Sequence, residues 1–391
     1  MSDVNLTRRT LLKTSAVGAV GTLFVGSAAA EKPPRRIVGT SSPGASAEAR
    51  GQAHTVHRTL DFGAHGQAVA GRFSDQAVAQ LQKHSEVRYV EDDITMYAIG
   101  KPGDGVTTQS QTQPWGIDRV DADVAHANGY TGSGADLAII DTGIDSDHPD
   151  LAANIGAGQA FTKAKGNYAY DWDDDNDHGT HCAGIAAGID NAEGVVGVAP
   201  EATLHAVKVL DKRGSGYLSD VAAGIEWVAD QGYDVGSMSL GASSGAQTLK
   251  DACQYAVDNG VFLVGAAGNS GPCTNCVGYP GAYSTVMAVS STDSADNLSG
   301  FSSQGPEVDI AAPGTDIYSS VVGGYDTFSG TSMATPHVAG AAAQLMAGGS
   351  SNTQTRSSLA SAAEDIGLGS NESGAGLLDV ATALGLDSSD N

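Results

Sequence analysis

Cations are scarce in this chain: 20 Lys and Arg stand against 45 Asp and Glu among 391 residues, a formal charge of −25. A surface so poor in basic groups cannot neutralise phosphates, which excludes nucleic acid and anionic membranes as partners. It suits instead a solvated acidic shell in high salt, where screening shortens the reach of carboxylate repulsion. Aromatic residues make up only 6%, so Val, Ile, Leu and Ala must fill the core. No stretch beyond the first thirty residues approaches the length of an apolar membrane span. Cysteine occurs four times, at Cys182, Cys253, Cys273 and Cys276. "CTNC" is a single close pair, and a zinc site would need more ligands. Glycine is the residue in surplus, with 52 copies, and implies many tight turns and close backbone approaches. The length allows one large core and a small accessory domain.

The chain divides by pattern. "TRRTLLK" (Thr7 to Lys13) precedes a Gly/Ala-rich apolar run ending in Ala28-Ala29-Ala30. Residues 1–30 therefore read as a twin-arginine export signal, cleaved near Ala30, and a run so short and small-residued argues against a retained anchor. The expected location is secreted and extracellular, where the oxidising surroundings favour a local Cys273–Cys276 disulfide. Residues 31–100 hold the strand-like "RRIVGT" and "VRYVEDDITMYAI" and one amphipathic helix, "SDQAVAQLQKH", with Ser74 as its N-cap. A polar Gly/Thr/Gln-rich linker follows over 101–110. From 111 to 385, near-continuous apolar runs ("ADLAIID", "ATLHAVKVL", "DVGSMSL", "VFLVGAAG", "VMAVSS") alternate with helical stretches that close on glycine. The expected fold is an α/β doubly wound, mostly parallel sheet preceded by a small α+β domain, with an acidic tail at 386–391. In such sheets ligands bind beyond the carboxyl ends of the strands.

Four residues stand at a predicted strand end or helix start. Asp141 ends "LAIID" and can serve as a turn cap or a site carboxylate. His178 opens "HGTHCAGI"; with His181 it has two ring ligands at a three-residue spacing but no HExxH glutamate, so zinc is not indicated. Asn269 follows "VGAAG" and is either turn chemistry or an amide donor for an oxyanion. Ser332, in "GTSMATPHVAG", is either a helix cap or a nucleophile. The chain order Asp, His, Ser differs from that of chymotrypsin and of α/β-hydrolases.

The strings "DTGIDSDHPDL", "HGTHCAGI", "VGVAPEATLHAVKVL", "SMSLG", "AAGNSG" and "GTSMATPHVAG", in register from about Gln111 to Leu384, resemble the subtilisin-like serine proteases. Acidity and the export signal narrow the likeness to the halolysins, secreted proteases of halophilic archaea. The resemblance implies a secreted serine endopeptidase. Ser332 would be its nucleophile, sited at a helix start whose dipole also favours the developing charge, so both readings of the serine hold in part. His178 would be the general base and Asp141 its orienting carboxylate, with Asn269 and the Ser332 N–H at the oxyanion. It further implies that peptide and protein substrates pair with Gly214-Ser215-Gly216 and Ser239-Leu240-Gly241. Their primary side chain would enter a pocket walled by Ala266-Ala267-Gly268 and floored near Gly278, with large apolar residues preferred. Structural Ca²⁺ is implied at Gln111, Asp150, Asp190 and Asn191. "DWDDDNDHG" lacks the glycine and distant Glu of an EF-hand and is expected to form a charged rim beside the site. The first domain resembles the family's propeptide, an intramolecular inhibitor cut away by the enzyme itself between about Tyr97 and Ser110. A monomer is expected. Ser237 stands where the family has asparagine, and Cys182 lies in the histidine motif as in the proteinase K-like branch. A homologue kept only as a binding module would have lost a catalytic group, and every one is present.

Overall fold

The computed structural model describes residues 32–102 and 110–388, without the side chains of Lys101 and Pro102. The expected export signal, most of the linker and the last three residues of the acidic tail lie outside the described residues. The large sheet has seven strands, all paired in parallel. In spatial order they are Ile310–Pro313, Met287–Thr292, Phe262–Ala266, Val235–Met238, Asp136–Asp141, Thr203–Lys208 and Ile155–Ala160. The five apolar runs form the five inner strands, because only a strand covered on both faces needs unbroken apolar sequence. The edges were not foreseen. "IGAGQA" is half exposed and its glycines admit His205 and Trp172 against the backbone. "IAAP" is four residues long and ends in a proline, which an edge tolerates.

Side chains of the inner strands alternate between two cores, as a period of two requires. Leu137, Ile139, Leu204 and Ala206 face the helices His178–Ala187 and Thr331–Ala347, in one cluster with Ala183 and Val338. Ala138, Ile140, Val207 and Val209 face the helices Leu218–Gln231 and Gln247–Asp258. Cys182 belongs to the first cluster and Cys253 to the second; both are free thiols, while Cys273 and Cys276 form a disulfide.

The small domain is a four-stranded antiparallel sheet, in the order Thr55–Asp61, Gln67–Arg72, Arg35–Thr40, Val87–Asp92. Helix Asp75–Leu81 is capped by Ser74, whose Oγ accepts the Ala77 N–H at 3.1 Å. A second helix, Pro43–Gln52, escaped the sequence reading, although Ser42 followed by proline at the first helical position is a start signal. The sheet's other face lays Leu60, Phe62 and Ala70 into the core around helices Leu218–Gln231 and Gln247–Asp258. "VRYVEDDITMYAI" is not one strand. It breaks at Asp93, whose buried carboxylate accepts the Ser219 N–H at 3.0 Å at a helix start and pairs with Arg35 at 2.6 Å. Beyond the break, Thr95–Ala98 joins a different sheet.

Candidate active site

Asp141 ends an inner strand, His178 opens a helix, and Ser332 lies in the first turn of another; all three are buried. His178 Nδ1 donates to Asp141 Oδ1 at 2.8 Å, and the Thr142 N–H donates to the same oxygen at 2.7 Å. That bond leaves Nε2 as the acceptor nitrogen; among the described residues it makes no hydrogen bond of normal geometry and faces Gly100. Burial pulls the His178 imidazole down, but the charge and hydrogen bond of Asp141, helped by Asp174, outweigh it, and the net displacement is upward from the ordinary histidine value.

Ser332 is not a helix cap. Gly330 holds that position, and Ser332 is the second helical residue, so its hydroxyl is free of capping. Glycine is required there by close approach: a Cβ on Gly330 would lie 2.8 Å from the Ile99 oxygen and 3.0 Å from Asn269 Nδ2. Pro336 sits inside the same helix and has no N–H to give the Ser332 carbonyl four residues back. Ser239 Oγ supplies that hydrogen bond at 2.8 Å, and the Cys182 thiol approaches at 3.5 Å. Asn269 accepts from the Thr331 N–H at 2.9 Å and from Thr331 Oγ1 at 3.0 Å. Its oxygen thus occupied, its Nδ2 points at the Ile99 carbonyl, 3.4 Å away. The Ser332 hydroxyl, with one proton to give, has the same carbonyl and Ser239 O as its acceptors.

The chain's own residues 95–99 fill the cleft. Tyr97, Met96 and Thr95 pair antiparallel with Ser215, Gly216 and Tyr217, and the Ala98 N–H donates to Gly214 O at 2.8 Å. On the other side Ala98 and Tyr97 pair with Leu240 and Gly241, and the Ile99 N–H donates to Ser239 O at 3.2 Å. Ile99 borders a cavity of about 970 Å³ that Gly241, Gly268, Asn269 and Gly278 help to line. Ala266 and Ala267 stand behind this wall, not on it; Ala267 packs with Val277, Ala288 and Val308.

The acidic run is not a charged rim. Trp172, Asp173 and Asp174 are buried, and the Asp175 side chain pairs with Lys208 at 2.6 Å. Asp174 accepts from Thr180 N and Oγ1 at 3.0 and 2.7 Å. Burial pushes its carboxyl up, against the hydrogen bonds of Thr180 and the charge of Lys208. The fixed donors offset part of the cost of burying these carboxylates, which the bare charge count of the run cannot reveal.

Gln111, Asp150 and Asn191 meet at the loop after helix His178–Ala187. Asn191 Nδ2 donates to Asp150 Oδ1 at 3.1 Å, the Val195 N–H to Oδ2 at 2.8 Å, and Gln111 Nε2 to Ile189 O at 2.9 Å. Asp190 is exposed and makes no hydrogen bond to them.

A buried carboxylate, imidazole and hydroxyl at the carboxyl ends of a parallel sheet, with an amide donor opposite, suit acyl transfer by a serine hydrolase. The chain belongs to the subtilase family, whose sequence model matches residues 132–377. It is a serine endopeptidase of the subtilisin type. Subtilisin E of Bacillus subtilis is 42% identical over 321 residues, covering 81% of this chain and 80% of that protein. The thermostable alkaline protease of Halalkalibacterium halodurans is 47% identical over 266 residues, 68% of this chain and 70% of the relative. The alkaline protease of Shouchella clausii is 42% identical over 313 residues, 79% and 77% of the two chains. Only 281 residues run from Gln111 to Asn391, so the first of these matches reaches back into the small domain.

Proposed function

We propose that this chain is the precursor of a secreted endopeptidase that frees itself by cutting the Ile99–Gly100 bond. The observation that carries this is the Ile99 carbonyl, held between Ser332 Oγ and Asn269 Nδ2 at the end of a strand paired on both sides as a substrate would be. In this proposal Ser332 Oγ attacks the Ile99 carbonyl carbon while His178 Nε2 takes its proton. The oxyanion is met by Asn269 Nδ2–H and by the Ser332 N–H, one of the helix's first-turn donors without an intrahelical acceptor. Collapse breaks the bond to Gly100, whose nitrogen receives the proton from His178. Water, deprotonated by the same imidazole, then releases Ile99 as a carboxylate. The cut falls just ahead of the 101–110 linker, and residues 31–99 become a propeptide that keeps its tail in the cleft as inhibitor. The experiment for this proposal is the Ser332→Ala comparison developed in the Discussion.

For other substrates, the small glycines around the cavity favour a large apolar side chain before the scissile bond. A peptide library should be cut mainly after such residues, by roughly tenfold or more over charged ones, since burying an unpaired charge there is costly. Cleavage mainly after Arg or Asp would contradict this.

Calcium fits the Gln111 cluster. Asp150 is wholly buried and forms no salt bridge among the described residues; neutral groups surround its oxygens, the Asn191 and Val195 N–H groups and the Tyr325 hydroxyl. Asp150, the Ile189 carbonyl and the Gln111 and Asn191 side-chain oxygens would hold a hard cation there, the Asn191 oxygen by giving up the Glu193 N–H that it accepts at 2.6 Å. Such an ion would neutralise Asp150 and brace the loop; it takes no part in the chemistry. Chelation should lower the Tm of the mature enzyme by roughly 5–10 °C, and Asp150→Asn should abolish the response to calcium. An unchanged Tm would remove calcium from the proposal. The acidic surface and the Arg8-Arg9 signal favour export by the twin-arginine route into salt-rich surroundings, as in the halolysins, with action as a monomer.

A further inference from the structure

Lys208 is the one fully buried lysine or arginine among the described residues. It ends the strand that pairs with Asp136–Asp141, directly opposite Asp141 in register. The N–H groups of Val209 and Leu210 bind the Asp141 carbonyl at 2.9 and 3.1 Å, so the backbone beside the carboxylate is already fastened to this strand. The ammonium goes further and reaches two groups. It donates to the Thr142 carbonyl, one residue past Asp141, and to Asp175 Oδ1 at 2.6 Å, three residues before His178. Thr142 closes the ring: its Oγ1 accepts the Gly179 N–H at 2.8 Å, one residue past His178. Asp175 is fixed a second time, by the Lys165 N–H at 2.7 Å on its other oxygen.

A charge with no exposure normally costs several kcal/mol unless it is paired and hydrogen-bonded throughout. A lysine on an apolar strand could have been any aliphatic residue if packing were its only task. Its ammonium instead ties the segment that carries Asp141 to the segment that presents His178, with one bond to each.

We propose that Lys208 is a positioning residue for the reaction, setting the Asp141–His178 geometry by clamping Thr142 to Asp175 from beneath the site. It touches neither substrate nor reacting atoms and acts through the carboxylate and imidazole. The proposal rests on Asp141, His178 and Ser332 being the reacting set. Labelling of wild-type Ser332 by a fluorophosphonate tests that separately: without labelling, the catalytic assignment fails before Lys208 is in question.

The test compares full-chain precursors carrying Lys208→Met, and Lys208→Met with Asp175→Asn, for thermal unfolding, self-processing rate and peptide hydrolysis. Lys208→Met keeps the length of the side chain but strands a buried carboxylate, and is expected to lose both stability and rate. The double variant removes the stranded charge and should recover the Tm to within a few degrees. Its kcat should stay ~30- to 100-fold low with KM within about twofold of wild type, because misplaced reacting groups slow the chemistry without weakening binding. Recovery of kcat together with Tm in the double variant would show a merely structural ion pair and overturn the proposal. A double variant that fails to fold would overturn it too, by assigning Lys208 to the fold.

Discussion

Ser332→Ala should leave the precursor uncut and lower peptide hydrolysis by a factor on the order of 10⁶. The substitution removes one hydroxyl whose hydrogen bonds among the described residues run to the Ile99 and Ser239 carbonyls. The helix it sits on starts at Gly330 without its help, and its carbonyl is held by Ser239 Oγ. The variant should therefore fold with the Thr95–Ala98 strand still paired in the cleft, and the loss should be one of chemistry. Electrophoresis of the refolded chain would show it at full precursor mass. Processing at the wild-type rate would remove Ser332 from the mechanism.

Asp141→Asn should cost about 10⁴ in kcat at neutral pH while leaving KM nearly unchanged. The amide can occupy the same space and still accept the Thr142 N–H, but it carries no charge to stabilise the imidazolium that forms as the serine proton leaves. The pH profile gives a second readout. With Asp141 ionised the His178 pKa lies above its ordinary value, so the free base, and with it kcat/KM, should rise along a limb displaced to higher pH. Removing the anion removes the largest upward influence and leaves the smaller one of Asp174 against burial, so the limb of the variant should move to lower pH. A limb that stays in place, with activity within tenfold of wild type, would separate Asp141 from the histidine.

The inner sheet could be read from sequence because strands buried on both faces need unbroken apolar runs. The same rule hid Ile155–Ala160 and Ile310–Pro313, which sit at edges and obey weaker demands. Asp141, His178, Asn269 and Ser332 were each ambiguous alone, and their shared position after strands or at helix starts made them a set. What escaped was anything set by partners distant in sequence. The capping role passed from Ser332 to Gly330 because a helix start is fixed by backbone geometry that small residues leave open. The run from Asp171 to Asp177 read as solvated charge, since nothing local announces the donors of Thr180 and Lys208. One signal was present: a single lysine inside "ATLHAVKVL" is out of place on a two-sided strand unless a buried anion awaits it.

The most direct measurement is mass spectrometry of wild-type and Ser332→Ala precursors, refolded in high salt with calcium and treated with a fluorophosphonate probe. Wild type should carry one adduct, on Ser332, and release a propeptide ending at Ile99; the variant should carry none and keep the Ile99–Gly100 bond. A folded wild type without an adduct, or a variant that releases the same propeptide, would contradict self-cleavage by this serine.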